Sequence, residues 1–146
     1  MNNTIYKVVG VDYLERVHTL DNDVFDSEKY SLDLLKKSFD NESEVVIVAE
    51  DNNKLIGYIL FSFIIDEAEL LKIGVLESHQ RCGIGKNLHA KMEDYLREQN
   101  VKNIFLEVRI DNKKAINFYE KNGYEKVTIR ENYYNGVHAI VYRKGI

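Results

Sequence analysis

The sequence predicts an α/β fold, a mixed sheet of about seven strands with about four helices on its faces. Three observations predict it. Runs rich in β-branched residues alternate with segments of helical period in the order β-α-α-β-β-β-α-β-α-β-β. The 146 residues are one domain's length, 1–146, enough for a single core that buries roughly 70% of the unfolded surface. Hydrophobic residues at 45% and charged ones at 30% suit a globular chain and exclude a disordered or collagen-like one.

The elements follow in order. Residues 4–9 read as a first strand. Val11, Leu14, Val17, Leu20 and Val24 fall near helical spacing, predicting a helix over 11–25. Ser31 is a good N-cap for a second helix with Leu32, Leu35 and Phe39 on one face. Residues 44–50 and 55–65 read as a hairpin around Asp51-Asn52-Asn53, and 68–75 as a further strand. Ile84, Leu88, Met92, Tyr95 and Leu96 form the stripe of a helix laid on a sheet. In strand 103–110, Ile104, Leu106 and Val108 alternate with Phe105, Glu107 and Arg109. Asp111 or Asn112 caps a last helix, ended by Gly123 in the left-handed position. Strands at 124–130 and 139–143 close the chain around the turn dipeptide Asn135-Gly136.

Charge is segregated. Residues 1–75 hold 7 Lys+Arg against 15 Asp+Glu, a balance of −8, and residues 76–146 hold 13 against 9, a balance of +4. Either the surface charges are unevenly scattered, or the C-terminal half handles an anion and the N-terminal half meets a cation. Nucleic acid is disfavoured, because no Lys/Arg cluster combines with stacking aromatics. No apolar run approaches the ~18 residues of a membrane helix. The absence of a visible secretory signal and the single cysteine suggest a cytoplasmic, reducing compartment. His18, His79, His89 and His138 show no ligand spacing, so no metal is expected.

The densest chemical feature is Gln80-Arg81-Cys82-Gly83-Ile84-Gly85-Lys86, between a strand and a helix. Two glycines allow a tight turn and close approach of a ligand, and the helix start offers unpaired N–H groups to a phosphate. The spacing is neither that of a P-loop nor of the dinucleotide fingerprint, since Leu88 stands where a third glycine belongs. Cys82 could be activated by the helix start or be an ordinary loop residue.

Gln80 to Gly85 is similar to the Q/R-x-x-G-x-G/A motif of the GNAT superfamily of acyl-CoA-dependent N-acetyltransferases. Leu106-Glu107-Val108-Arg109, Asn112, and the helix from Ala115 through Phe118 and Tyr119 to Gly123-Tyr124 look like that family's closing motif. Within the family the chain most resembles the RimI type, which acetylates the N-terminal alanine of a ribosomal protein. The supporting segments are Asp66-Glu67-Ala68-Glu69-Leu70, Ile73-Gly74-Val75, Leu106 to Arg109, and Arg130-Glu131-Asn132-Tyr133-Tyr134. One departure stands out: RimI-type proteins usually carry a Pro-Trp pair before the second helix, and this chain has no proline and no tryptophan.

The resemblance implies a GNAT fold and an acetyl-CoA-dependent transfer to an amine, most readily a protein N-terminus. It implies that Glu107 is the general base, where an unrelated strand would make it a surface carboxylate paired with Arg109. It implies that Tyr119 protonates the departing thiolate, where packing alone would make it core. The backbone of Arg81, Cys82, Gly83, Ile84, Gly85 and Lys86 would hold the CoA pyrophosphate, and Ile73, Gly74 and Val75 the pantetheine arm. Asn112 would contact CoA, or simply cap its helix. Glu67, Tyr133 and Tyr134 would meet the acceptor. A small amine (a polyamine or an aminoglycoside) and a non-catalytic acyl-CoA-binding module are the alternatives.

Overall fold

The structure is a computed structural model, and it describes residues 3–146 apart from the side chains of residues 132–134. Seven strands form one sheet: β1 (Thr4–Val9), β2 (Glu44–Asp51), β3 (Lys54–Ile64), β4 (Glu67–Val75), β5 (Asn103–Arg109), β6 (Glu125–Tyr134) and β7 (Val137–Gly145). The helices are α1 (Leu14–Val24), α2 (Leu32–Asp40), α3 (Ile84–Glu98) and α4 (Lys113–Lys121). The order across the sheet is β1-β2-β3-β4-β5-β7-β6. Every neighbouring pair is antiparallel except β4 and β5, which α3 joins in parallel. The expected element order is the observed one.

Each face of the sheet carries its own core. Ile59, Phe61, Leu70, Ile104 and Leu106 pack with Ile84, Leu88, Met92 and Leu96 of α3, and Ala115 and Tyr119 of α4 join them. On the other face Val46, Val48, Tyr58 and Leu60 pack with Val17 and Leu20 of α1 and Leu35 of α2. β4 serves both cores through a bulge. Leu60 pairs with Lys72 but Phe61 with Leu70, so Leu71 has no partner on β3. The extra residue reverses the alternation: Ala68 and Leu70 face α3, Leu71 turns to the opposite core, and Ile73 and Val75 face α3 again.

The differences from expectation are local. The first helix opens as a 3-10 turn, Val11–Tyr13, which leaves Val11 half exposed. It also stops at Val24, with Phe25 already extended. Leu32 is 41% exposed, whereas Leu35 on the inward face is fully buried. β6 and β7 run longer than expected, because Asn135 (φ 45°) and Gly136 (φ 88°) close a tight hairpin.

α3 also carries a buried histidine. His89 Nε2 lies 2.7 Å from the Tyr124 hydroxyl, and Nδ1 faces Glu93 at 3.9 Å. Burial pulls the His89 imidazole down to about 4, Glu93 opposing and Lys144 assisting. An unfolded chain takes up this proton near 6.5 while the folded one does not, so native stability falls as pH drops from ~6.5 toward ~4. The loss is roughly 3 kcal/mol, and a His89→Gln variant should show a flatter dependence of Tm on pH over that window.

Candidate active site

The loop after β4 is built from local backbone rules. Arg81 (φ 64°) and Gly83 (φ 81°) both take the left-handed conformation, and Gly83 is the N-cap of α3. No side chain caps α3, so its first N–H groups and the positive end of its dipole are left to a ligand. A Cβ on Gly83 would meet no heavy atom within 4 Å, whereas one on Gly85 would come within 3.3 Å of Phe118. Gly83 therefore opens the cradle, and Gly85 lets α4 close beside it. Ile84 is buried, so only its backbone can serve a ligand, while Arg81, Cys82 and Lys86 are exposed. Gln80 ties the loop down: its Nε2 donates to Val75 O at 3.0 Å, and its Oε1 accepts from Lys114 Nζ at 2.5 Å.

Next to this loop the sheet opens. β4 and β5 pair only at Glu67–Asn103, Ala68–Ile104 and Glu69–Phe105, although β4 continues to Val75 and β5 to Arg109. The bulge at Leu71 lies where the pairing stops, and bulges bend their strand. Leu76 N–H bonds Ile56 O at 2.8 Å. In an antiparallel ladder, bonded and non-bonded pairs alternate, so Val75 and Ile73 turn their backbone groups away from β3, into the gap. Gly74 is committed to β3 instead. Its contribution is steric, since a Cβ there would stand 2.9 Å from the Phe25 ring and from Val24.

Glu107 flanks the gap on the face that α1 and α2 cover elsewhere. It is not paired with Arg109, which instead forks onto Asp111 through two bonds of 3.0 Å; that guanidinium holds the Asp111 carboxyl below its ordinary value. Glu107 Oε1 meets Arg130 of β6 at 3.2 Å, and its side chain is 17% exposed. Its Oε2 is buried and accepts no hydrogen bond among the described residues. Partial burial and the Glu107 carboxylate hold the Glu69 carboxyl above its ordinary value, with Arg130 opposing. These groups line an open groove of about 600 Å³ that runs from the β3–β4 turn, past Glu67 and Glu69, to Phe105, Glu107 and Arg130.

Tyr119 lies on the opposite face of the sheet, on α4. Its ring stands 5.5 Å from that of Phe118 and 5.7 Å from that of Tyr124, edge to face, and Phe118 is the residue against Gly85. Tyr119 thus sits on the side of the loop, and Glu107 on the side of the groove. Asn112, not Asp111, is the N-cap of α4, with its side chain accepting from Ala115 N at 3.2 Å. Tyr133 and Tyr134, expected at the acceptor, lie outside the residues whose side chains are described. Among the described residues no His, Cys, Asp or Glu cluster could hold a metal, and no helix is long and apolar enough to cross a membrane. Sequence reasoning gave Arg130 no role as the partner of Glu107; the two residues stand 23 positions apart in the chain, and only the order β5-β7-β6 brings them together.

Comparisons with known proteins point to one family. The family model for the acetyltransferase (GNAT) family matches residues 11–124. The chain is 42% identical over 84 residues to the ribosomal protein bS18-alanine N-acetyltransferase of Haemophilus influenzae, covering 58% of this chain and 57% of that one. The chain therefore matches little more than half the length of that relative. It is 35% identical over 103 residues to the enzyme of the same name from Salmonella typhimurium, covering 68% of each chain. The crystal structure of the ribosomal-protein-S18-alanine N-acetyltransferase of Escherichia coli superposes with a TM-score of 0.89 at 26% identity, covering 98% of this chain and 94% of that one.

Proposed function

Because the chain belongs to the acetyltransferase (GNAT) family, we propose that it transfers an acetyl group from acetyl-CoA to the N-terminal α-amine of a protein, by direct attack with both substrates bound. The observation that carries this reading is Glu107 Oε2, a buried carboxylate oxygen with no donor among the described residues, at the edge of a gap in the sheet. A buried acceptor left unpaired is costly, and an amine or its water in the groove would satisfy it.

The residues fit the donor. The backbone of Arg81 to Lys86, with left-handed Arg81 and Gly83, would hold the pyrophosphate. Ile73 and Val75 would bond the pantetheine arm through the groups they turn into the gap. Acetyl-CoA supplies the activated thioester. A protonated amine has no lone pair to attack with, so Glu107 removes its proton, directly or through a water. Tyr119, on the other face, protonates the departing sulfur. Base and acid on opposite faces suit an amine arriving from the groove and a thiol leaving toward the loop.

The acceptor follows from charge. Asp66, Glu67 and Glu69 at the groove would attract a basic segment behind the reacting terminus. They would equally attract a polyamine, which is the second reading. We expect a thiol-release assay on N-terminal peptides, lysine peptides, spermidine and an aminoglycoside to rank Ala- and Ser-initiated peptides first. A polyamine or aminoglycoside that outperforms every peptide would leave the N-terminal reading wrong.

A further inference from the structure

β3 and β4 are joined by two residues, Ile65 and Asp66, since Ile64 pairs directly with Glu67. Hairpin turns of this length need a positive φ at their first position, which glycine or asparagine usually supplies. Ile65 takes it instead, at φ 58°. A β-branched residue in that region is a genuine outlier. Among the described residues the other left-handed positions without a glycine are asparagines, Glu28 and Arg81. The turn is held by the Ile64–Glu67 pair and by the Asp66 carbonyl oxygen, which accepts from Lys102 N–H at 2.7 Å and from Asn103 N–H at 3.3 Å. Burial does not account for the strain: Ile64 is 69% and Ile65 84% exposed, the two most exposed large hydrophobic residues of those described.

Both isoleucines line the groove that holds Glu107. Ile64 stands opposite Glu67, and Glu69 lies beside Phe105, so strand alternation puts Ile64, Glu67, Glu69, Phe105 and Glu107 on one face. Phe63 points to the other face, edge-on to Tyr95 of α3. From Glu107, β5 runs four residues back to Asn103, which pairs with Glu67, and Ile65 lies two residues further. Six residues of strand span about 20 Å, the reach of an extended peptide of about six residues. A chain whose amine lies at Glu107 therefore crosses the carboxylates Glu69 and Glu67 before it meets an apolar end. Basic side chains near the terminus suit the first stretch by charge, and an apolar side chain suits the second. Spermidine or an aminoglycoside brings no apolar side chain to that end.

We propose that the Ile64–Ile65 tip is a second contact for the substrate peptide, receiving an apolar side chain about four to seven residues behind the reacting amine. This rests on the transferase reading above and deepens it: the enzyme reads an extended stretch of its substrate, not the terminal residue alone. Strain retained at an exposed, firmly tied turn is the kind that ligand contacts keep.

The test uses three peptides that begin with Ala: a tripeptide, a decapeptide with Leu at its fourth to seventh positions, and the same decapeptide with Ser there. They are given to wild type, to Ile65→Gly and to the double variant Ile64→Thr/Ile65→Gly. Wild type should show a KM ~10-fold lower for the Leu peptide than for the other two, the gain from partly covering one apolar side chain. The double variant should lose that gain, while its KM and kcat for the tripeptide and its acetyl-CoA thermal shift stay those of wild type. Ile65→Gly should keep or raise Tm, because glycine takes φ 58° freely, so its weaker hold on the Leu peptide cannot come from a damaged fold. Equal KM for all three peptides in wild type, or a Leu preference that survives the double variant, overturns the proposal. A wild type that acetylates none of the peptides defeats the transferase reading instead. Calorimetry of the Leu peptide with CoA present then decides the tip alone: binding that the double variant loses upholds it, and no binding, or binding the double variant keeps, overturns it.

Discussion

Glu107→Gln should lower kcat by about 10²–10⁴ at neutral pH, the usual contribution of a positioned acid or base. The side chain is held in place on β5 by the Leu106 and Val108 anchors on the opposite face and by Arg130 at 3.2 Å. The amide keeps the volume, so acetyl-CoA affinity should not change. It cannot take a proton. The variant's rate should therefore climb as pH rises toward the acceptor's own pKa, about 7.7–8.0 for an α-amine, because the neutral amine then arrives unaided. Tyr119→Phe should also lose kcat but gain nothing at high pH, since in the proposed mechanism the phenol gives a proton to the leaving sulfur. Wild-type rates in both would reduce the pair to packing residues.

Gly83→Val should remove most of the stabilisation that acetyl-CoA confers, about 2.7 kcal/mol at a hundred times its dissociation constant. Two effects combine. A β-branched residue at φ 81° is a conformational outlier, so the loop must shift. Its side chain would also project into the open space in front of the uncapped α3 start, where a phosphate would sit. Because a Cβ on Gly83 meets no heavy atom of the described residues beyond its chain neighbours within 4 Å, the folded state should survive with a lowered Tm while the ligand is shut out. A normal acetyl-CoA shift in the variant would place the phosphate site elsewhere.

The cradle was legible in the sequence because its physics is local. Gly83 and Gly85 between a strand and an apolar helical stripe dictate a turn and a free helix start, whatever surrounds them. The strand alternation that turns Glu107 away from Leu106 and Val108 was legible for the same reason. What was not legible depends on tertiary distance or on a slip in register. The Glu107–Arg109 pair suggested by i, i+2 spacing loses to Asp111, whose turn places a carboxylate for a two-pronged bond, and frees Glu107 for Arg130. The bulge at Leu71 has no sequence mark beyond a lysine where strict alternation puts the α3 face, and it decides both the gap and the buried Lys72–Asp21 ion pair. Asp21, one residue after Leu20 in the apolar stripe of α1, reads as a surface carboxylate until Tyr58, Tyr30 and Lys72 are seen around it.

The most direct measurement gives the enzyme one peptide that begins with Ala and carries an internal lysine, together with acetyl-CoA, and locates the acetyl group by fragment mass spectrometry. At neutral pH far more of an α-amine is neutral than of a lysine, given model values near 7.7–8.0 and 10.4, and under the proposed mechanism Glu107 at the groove would have only to finish that deprotonation. The predicted product carries its acetyl group on the N-terminal amine, at a rate ~10-fold or more above the lysine, a difference of about 1.4 kcal/mol in barrier. Acetylation on the lysine at an equal or greater rate, or none at either amine, would contradict it.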